Sequence, residues 1–427
     1  MEMLLEYVRY ALMFTVITTI GPNSVFWTIL SMLRWTNEKL QPPQKSSGRF
    51  VNADVAVVIA AHNEEVALPS CLTAVLKLLP ASQVFIGNDA STDKTKSVAK
   101  TYRCNIFSAR KNVGKAKILV ATIVHFKLYT RYKLVLFLDA DSEIDIHYLE
   151  HALPLFDDPQ VGVLAGHVIS RPPSGSGLTG HAIHYYRVRL YAMVQWLLKF
   201  GQTWKFLNVT FVAPGFASLY KSSVLRQLDI AAPGLVIEDI NMTFEVHRKH
   251  LGRVAYSPKA RCCTEDPASV RDYSKQVKRW TLGLWQAFSK QGLWKSKFCA
   301  ALVLGQIEVL CFSVFVLALP AFTILSLIFA LQHVPWSSGG GADSLMHFVP
   351  LALFIGADVA TSLLVALALR DVWIFIFSPT FWLFRLIDAY WALATILMTF
   401  YVKSDGRWVS PTRQAARSKK VDSHVHS

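Results

Sequence analysis

Two aspartates, Asp139 and Asp141, follow a run of apolar residues and lie one residue apart. The run from Leu134 to Leu138 has the unbroken apolar character of a strand buried on both faces of a parallel sheet. In open α/β sheets, ligands bind beyond the carboxyl ends of the strands, where these two side chains would emerge. Two carboxylates so arranged can bind a hard divalent cation together with a substrate diphosphate. The pattern predicts an enzyme that uses a nucleotide-activated substrate.

Two other interpretations of this segment are open. Counting from Asp139, further acids have the spacing of an EF-hand calcium loop: Asp141, Glu143, Asp145 and Glu150. The EF-hand is disfavoured, because Ile144 occupies the position that needs glycine and a strand-like run comes before the loop. Alternatively, Asp141 would only cap a helix from about Ile146 to Phe156.

Strand-like and helix-like segments alternate along the chain from Val55. The strand-like segments are Val55–Ala60, Gln83–Gly87, Asn105–Ser108 and the run that ends at Asp139. Helical segments separate them, and the last of these runs from about Lys115 to Leu128. Such alternation predicts a doubly wound α/β domain with a parallel sheet.

The composition indicates an integral membrane protein. Of the 427 residues, 52% are hydrophobic. Tyr10–Leu33 carries no charge and is long enough to span a bilayer, and three more apolar blocks follow the α/β region: Phe298–Leu331, Leu345–Leu369 and Val372–Val402. The net charge of +15 suits contact with anionic headgroups on the cytoplasmic side, and no motif for nucleic-acid binding accompanies it.

Two segments of the α/β region have the aromatic and basic character of helices in the membrane interface: Leu178–Phe200 and Ser269–Phe288. For the first, a core helix with a basic outer face is the alternative. The basic tail from Lys403 is expected in the cytoplasm. Three simple crossings after a cytoplasmic domain would leave that tail outside. We therefore expect Val372–Val402, which Pro379 interrupts, to form a helical hairpin or a re-entrant segment plus one span.

Several short motifs follow one another between Val55 and Trp280. They are Asn63-Glu64-Glu65, Asn88-Asp89-Ala90-Ser91-Thr92-Asp93, Asn112-Val113-Gly114-Lys115-Ala116, Asp139-Ala140-Asp141, Ile237-Glu238-Asp239 and Gln276-Val277-Lys278-Arg279-Trp280. This ordered set resembles the membrane-bound processive members of glycosyltransferase family 2, namely the cellulose, chitin, hyaluronan and poly-N-acetylglucosamine synthases. The segment Arg407–Arg413 also resembles the closing segment of bacterial poly-β-1,6-N-acetylglucosamine synthases.

The resemblance implies roles for the earlier motifs on the donor substrate. Glu64 and Asp89 would bind the uridine as hydrogen-bond acceptors. Lys115 would meet the diphosphate as a point charge. Asp139 and Asp141 would hold Mg²⁺ or Mn²⁺, which stabilises the leaving UDP.

The resemblance assigns the later motifs to catalysis and to the acceptor. Asp239 would be the general base, and burial or the neighbouring Glu238 must raise its pKa for that role. Glu238 and Gln276 would contact the substrates, Arg279 would bind the departing diphosphate, and Trp280 would stack on the acceptor sugar. Taken alone, Glu238-Asp239 also suits the acidic first turn of a helix, and Arg279-Trp280 an interfacial anchor.

The resemblance implies an α/β glycosyltransferase A-type domain joined to a helical transmembrane region. The expected parts are a transmembrane helix (1–34), a linker (35–54), a cytoplasmic glycosyltransferase domain with interfacial helices (55–297), a transmembrane region (298–402) and a basic cytoplasmic tail (403–427). The expected enzyme is a multi-pass cell-membrane protein that uses a UDP-sugar, foremost UDP-N-acetylglucosamine, to extend and export a polysaccharide such as poly-N-acetylglucosamine. Its other expected partners are membrane lipid and a small membrane subunit. The alternatives are a hyaluronan- or chitin-like synthase, an enzyme that glycosylates a lipid, and a transporter with an inactive domain.

Overall fold

The computed structural model describes residues 21–40, 47–173, 175–333 and 349–402. Within them the predicted α/β domain is present, built on an eight-stranded sheet. The strands are β1 (Val55–Ala61), β2 (Val84–Asn88), β3 (Asn105–Ser108), β4 (Leu134–Asp139), β5 (Glu143–Ile144), β6 (Val161–Arg171), β7 (Ser218–Lys221) and β8 (Arg253–Glu265). The alternating segments between Val55 and Asp139 form β1 to β4, as predicted.

The sheet is mixed, whereas the sequence predicts a parallel one. The strand order is β3-β2-β1-β4-β7-β6-β8-β5, and the first four of these strands are parallel. β7 is antiparallel to both of its neighbours, and β5 is antiparallel to β8. The prediction fails for β7 because a four-residue strand carries no signal of its direction, which its pairing with β4 and β6 decides.

Helices precede, connect and follow these strands. They are α1 (Pro22–Leu40), α2 (Leu68–Val75), α3 (Thr95–Thr101), α4 (Lys115–His125), α5 (Leu128–Arg131), α6 (Tyr148–Ala152), α7 (Leu178–Ala192), α8 (Phe200–Gln202), α9 (Ser222–Leu225), α10 (Glu238–Arg248), α11 (Val270–Gln291), α12 (Lys297–His333), α13 (Val349–Leu369), α14 (Trp373–Ile376) and α15 (Phe381–Tyr401). A π-helical turn, Met193–Lys199, joins α7 to α8, and four 3₁₀ turns occur at Asn52–Asp54, Ala81–Gln83, Leu153–Asp157 and Ser378–Thr380.

Two cores lie on opposite faces of the sheet. β1 is buried along its whole length, because its side chains alternate between the two cores. Its odd-numbered residues pack with Leu72 of α2, and its even-numbered residues pack with Ile118 of α4. Helices on both faces leave the carboxyl ends of β1 and β4 open at one edge, and the polar motifs follow there.

Among the described residues, three helices are long and apolar enough to cross a membrane: Lys297–Leu325, Leu351–Leu369 and Ser378–Tyr401. They coincide with the three predicted apolar blocks. Large apolar side chains on them, including Leu304, Ile307, Leu364 and Leu367, are exposed. This outward apolar surface suits lipid.

The segment Val372–Val402 consists of the short α14, a 3₁₀ turn that contains Pro379, and the single helix α15. It is therefore not a helical hairpin of two spans. Both ends of α15 contact the α/β domain. Asp388 accepts hydrogen bonds from the hydroxyls of Tyr186 and Tyr273 (both 2.6 Å), and the Val402 carbonyl accepts one from Gln286 Nε2 (3.0 Å). α15 thus runs beside α11 in the same direction.

The two predicted interfacial segments are helical, but α7 does not have a basic outer face. Arg187 and Arg189 are each only 2% exposed. Arg189 pairs with Asp358 of α13, and Arg385 of α15 pairs with the same carboxylate. These ion pairs attach α7 to the apolar helices.

The predicted N-terminal span Tyr10–Leu33 lies partly outside the described residues, as do linker residues 41–46 and the tail 403–427. The described part begins with Gly21, whose φ of +70° lies in the left-handed region, and α1 follows and ends at Leu40, beyond the predicted start of the linker at residue 35. The carboxylate of Glu308, on α12, accepts hydrogen bonds from the backbone N–H groups of Asn23 (2.7 Å) and Ser24 (3.2 Å). These bonds satisfy free donors at the start of α1.

Candidate active site

Lys115 lies between two acids that come from distant parts of the chain. It is the first residue of α4, and Gly114 before it has a φ of +93°. Its ammonium nitrogen is 2.7 Å from Asp139 Oδ1, at the end of β4, and 3.1 Å from Glu238 Oε1, at the start of α10. Burial disfavours the charged form of Lys115, but the two carboxylates outweigh it and raise the pKa above its ordinary value. Lys115 therefore carries a positive charge beside the predicted metal ligand.

Asp239 is held in the first turn of α10. Its Oδ2 accepts a hydrogen bond from the Gly215 N–H, and its Oδ1 accepts one from the Ile240 N–H (both 2.7 Å). Burial, and then the charge of Glu238, raise the pKa of Asp239 to about 6, while Lys115 opposes the rise. Burial and the charge of Glu238, the two causes expected to raise the pKa of a general base at this position, are therefore both present. Glu238 and Asp239 also form the acidic first turn of α10, so this structural role is compatible with a role of Asp239 as general base.

Gly215 is a residue of this cluster that sequence reasoning missed. A Cβ atom built on it would lie 3.2 Å from each of three charged atoms, Asp239 Oδ2, Glu238 Oε1 and Lys115 Nζ. The absence of a side chain therefore lets the chain pass close to the charges, and its N–H orients Asp239. The available signal was the Pro214-Gly215 dipeptide, which marks a turn.

Asp89 binds the chain that leads to Lys115. It is fully buried, and its two oxygens accept hydrogen bonds from the N–H groups of Val113 (2.7 Å) and Gly114 (2.8 Å). These bonds fix the turn that starts α4. The predicted uridine contact would use the remaining lone pairs. Glu64 is also buried and lies in the turn after β1, where its N–H donates to Thr95 Oγ1 (2.8 Å).

Asp139 and Asp141 are partly exposed at the end of β4. Carboxylate oxygens suit Mg²⁺ and Mn²⁺. Within the described ranges, no group of three or more His, Cys, Asp or Glu side chains is arranged to hold a metal ion. A divalent ion at these two residues would therefore need phosphate oxygens and water as its other ligands, which fits an ion that arrives with a diphosphate.

The acids after Asp141 do not converge on one point. Glu143 belongs to β5 and pairs with Arg171, whereas the Glu150 side chain is 68% exposed and pairs with His147. Helix α6 begins at Tyr148, with His147 before it, so Asp141 does not cap it. The structure supports neither the EF-hand nor the capping interpretation.

Helix α11 lies against the loop that ends at Ile237, directly before Glu238 and helix α10. A Cβ atom on Gly283 would lie 2.9 Å from Ile237 Cβ, so helix and loop are in direct contact. One turn earlier on α11, Arg279 is exposed and has no hydrogen bond or ion pair with any residue of the described ranges. Gln276, two turns before Gly283, accepts a hydrogen bond from Arg187.

Arg187 is a second residue that sequence reasoning did not assign to the site. Its guanidinium carbon lies 4.8 Å from the centre of the Trp280 ring. It also donates to Tyr191 and pairs with Asp266 (3.2 Å). Arg187 therefore contacts both Gln276, through a hydrogen bond, and Trp280, through the face of its ring. No local signal indicates this role, because only the packing of α7 on α11 brings the residues together.

The predicted residues thus form two groups. Lys115, Asp139, Glu238 and Asp239 make one charged cluster, with Asp141, Glu64 and Asp89 on the strand-end turns around it. Gln276, Arg279 and Trp280 lie on α11, beside the same loop but outside the cluster's ion pairs.

Comparison with known proteins identifies the family and the fold. The family model described as glycosyltransferase like family 2 matches residues 53–283. The probable glycosyltransferase YdaM of Bacillus subtilis (strain 168) is 23% identical over 242 residues, which are 54% of this chain and 54% of YdaM, so the match spans about half the length of that relative. The solved mannosyltransferase PcManGT from Pyrobaculum calidifontis, in complex with GDP-Man and Mn²⁺, shares the fold. It has a TM-score of 0.55 at 14% identity over 93% of this chain and 100% of that one. The family model covers more than half of the chain, including the ends of β1, β2 and β4 and the start of α10. The chain therefore belongs to glycosyltransferase family 2.

Proposed function

We propose that this glycosyltransferase is an inverting, metal-dependent enzyme of the cell membrane. It transfers a sugar from a UDP-sugar, foremost UDP-N-acetylglucosamine, to a growing polysaccharide such as poly-N-acetylglucosamine. One observation carries the proposal: Lys115 Nζ lies 2.7 Å from Asp139 and 3.1 Å from Glu238, beside the partly buried Asp239. A cation for a diphosphate, an acid for a metal and a base for an acceptor hydroxyl are thereby within one cluster.

The acceptor hydroxyl attacks the anomeric carbon on the face opposite UDP, so the new C–O bond forms as the bond to UDP breaks. Asp239 takes the hydroxyl proton. With a pKa of about 6 it is ionised at neutral pH and more basic than an ordinary aspartate. The Gly215 N–H keeps one of its oxygens in place.

The charge on the leaving UDP is met by residues of this chain. Lys115 would exchange a carboxylate contact for a phosphate oxygen when the donor binds. Arg279, unpaired within the described ranges, would bind the diphosphate as it departs. Asp139 and Asp141 would hold Mg²⁺ or Mn²⁺, which supplies Lewis-acid stabilisation of the diphosphate when bound.

The remaining motif residues bind the ends of the two substrates. Glu64 and Asp89 would accept hydrogen bonds from the uridine. Trp280, supported by Arg187, would stack on the acceptor sugar, and Gln276 would contact it beside the ring.

The proposed domain arrangement follows the sequence: a transmembrane segment within 1–34, a linker within 35–54, a cytoplasmic enzyme domain over 55–297, apolar helices over 298–402 and a cytoplasmic tail over 403–427. We propose that α12 and α13 cross the membrane as a pair and that α15 lies along α11 in the interface. Both ends of α15 contact the domain, through Tyr273 and Gln286. This path returns the chain to the side of the domain and removes the conflict over the basic tail.

A second candidate is transfer of one sugar to a lipid. The attachment of α7 to the apolar helices favours this candidate. Arg189 of α7 and Arg385 of α15 both pair with Asp358 of α13. An acceptor entering between these helices would come from the membrane side.

Purified protein should release UDP from UDP-N-acetylglucosamine in the presence of Mg²⁺ or Mn²⁺, and product length then separates polymer from glycolipid. Glu150→Gln is a matched control, because Glu150 is an exposed acid of the same segment and should leave activity unchanged. Absence of UDP release with every UDP-sugar and both metals would refute the proposed function.

A further inference from the structure

Lys199 is a buried cation for which the proposed reaction has no role. It ends the π-helical turn Met193–Lys199, and it is only 5% exposed. Turns of this kind inside helices are frequent at functional sites. The turn is fixed in place by Gln195, whose side-chain amide exchanges hydrogen bonds with the Val168 N–H (2.7 Å) and carbonyl (2.8 Å) on β6.

The ammonium group of Lys199 has no acceptor among the described residues. Its nitrogen lies 5.3 Å from the centre of the Tyr256 ring. The Tyr256 hydroxyl is occupied by His167 Nδ1 at 2.6 Å. Asp239 is near enough to favour the charged form of Lys199, but burial has the larger effect and lowers the pKa of Lys199 to about 7. Burial and the charge of Lys199 lower the pKa of His167 to about 4, so His167 is neutral and adds no charge.

An ammonium group on a buried side chain is poorly compensated when no acceptor lies beside it, because burial removes part of its hydration and no hydrogen bond replaces it. Such a group is expected where a ligand supplies the missing partner. The position also favours the acceptor rather than the donor. Lys115 pairs with Asp139 at the end of β4, whereas Lys199 packs over Tyr256 of β8. Two strands, β7 and β6, lie between β4 and β8 in the sheet.

We propose that Lys199 is a specificity residue on the acceptor side of the site and binds a phosphate group on the acceptor substrate. The assignment rests on the proposed transfer from a UDP-sugar. It also separates the two candidate functions, because an unmodified chain of N-acetylglucosamine carries no such group, whereas a phosphate-bearing membrane lipid does.

The test uses two pairs of acceptors in which only one member carries an anionic phosphate. The soluble pair is N-acetylglucosamine and N-acetylglucosamine 1-phosphate, both of which keep the ring hydroxyls at positions 3, 4 and 6 free. The lipid pair is diacylglycerol and phosphatidylglycerol, each added in the same proportion to phosphatidylcholine vesicles. UDP release and labelled product are measured with full-length protein. The wild-type protein should prefer the phosphate-bearing member of at least one pair, and which pair it is identifies the source of the phosphate.

Lys199→Met keeps the length of the side chain and removes its charge. We expect it to lower kcat/KM for the preferred phosphate-bearing acceptor roughly 10- to 100-fold, as loss of a charged hydrogen bond does, and to leave the neutral acceptor nearly unchanged. Its melting temperature should not fall, because the substitution removes a buried unpaired charge. Lys205→Met is the matched control, because Lys205 is exposed and six residues away.

Equal loss with neutral and phosphate-bearing acceptors would overturn the assignment, because Lys199 would then act through Asp239. So would the absence of any preference in the wild-type protein, or an unchanged preference in Lys199→Met. A wild-type protein that releases UDP but shows none of these selectivities defeats only this inference. A protein that releases no UDP with any acceptor defeats the proposed function as well.

Discussion

Two halves of the candidate site differ in how their charges are compensated. In the strand half, at the ends of β1, β2 and β4, Lys115 is paired with Asp139 and Glu238, and Asp89 binds backbone N–H groups. In the helical half, formed by α7, the π-helical turn and α11, Arg279 and Lys199 have no ionic partner in the described ranges. The strand half is therefore assembled before substrate arrives, whereas the helical half has charges that substrates would neutralise.

The largest effect is expected from substituting the proposed metal ligands of the strand half. Asp139→Asn or Asp141→Asn should abolish metal-dependent transfer, because an amide replaces a charged oxygen ligand of a hard cation. Activity is measured with purified protein across a Mg²⁺ and Mn²⁺ titration, and the melting temperature verifies folding. Full activity in either variant, or in excess EDTA, would contradict the metal assignment.

Removal of the base should leave donor binding intact. We expect Asp239→Asn to lower turnover by roughly 10²- to 10⁴-fold, the usual loss for a general base. Titration with UDP should give an unchanged affinity, because the proposed role of Asp239 is toward the acceptor hydroxyl and not toward UDP. A variant that no longer binds UDP would show that Asp239 belongs to the donor side.

The helical half is tested by Arg279→Ala and Trp280→Ala. Arg279→Ala should lower turnover roughly 10²-fold and weaken UDP binding, because the charge that it stabilises develops on the leaving group. Trp280→Ala should impair use of the acceptor while hydrolysis of the UDP-sugar continues. Turnover with and without acceptor separates the two, and an equal loss of hydrolysis and transfer in Trp280→Ala would refute the stacking role.

Gly215→Ala should have a moderate effect, because its Cβ would lie 3.2 Å from three charged atoms and neighbouring groups must shift by a few tenths of an ångström. We expect turnover to fall roughly tenfold, with the apparent pKa of the rate profile displaced. Gly177→Ala is the control and should leave turnover unchanged, because a Cβ atom there meets open space. Gly175 is not used, because its positive φ would strain an alanine.

The unsubstituted protein tests the same assignment through its pH dependence. With a pKa of about 6, Asp239 loses its proton-accepting form as the pH falls through 6, so kcat should decrease about tenfold per pH unit below that value and level off above it. Lys115, whose pKa is raised, stays charged over this range. A profile that remains flat down to pH 4.5 would mean that Asp239 has the pKa of an ordinary aspartate.

The strand half could be predicted because its information is local. Asp139 directly follows five apolar residues, and Lys115 directly follows a glycine at the start of a helix, so neighbouring residues in the sequence indicate both positions. The meeting of Lys115 with Asp139 follows once parallel strands end at a common edge, whereas Glu238 reaches them from the start of α10, which only the tertiary structure shows. The helical half resisted prediction because its contacts are distant: Arg187 touches Gln276 across 89 positions, and its charge alone suggested an exposed face.

The sequence by itself determined the α/β domain, the apolar helices and the order of the charged motifs, because buried strands and apolar helices require continuous or periodic apolar residues. Only the tertiary structure decided that the sheet is mixed, that Asp89 holds the turn before Lys115, that Arg187 lies beneath Trp280 and that Lys199 is buried with no hydrogen-bond acceptor in the described part of the chain. Burial and pairing of a charge depend on which elements pack together. That packing is a property of the whole fold, and no stretch of neighbouring residues contains it.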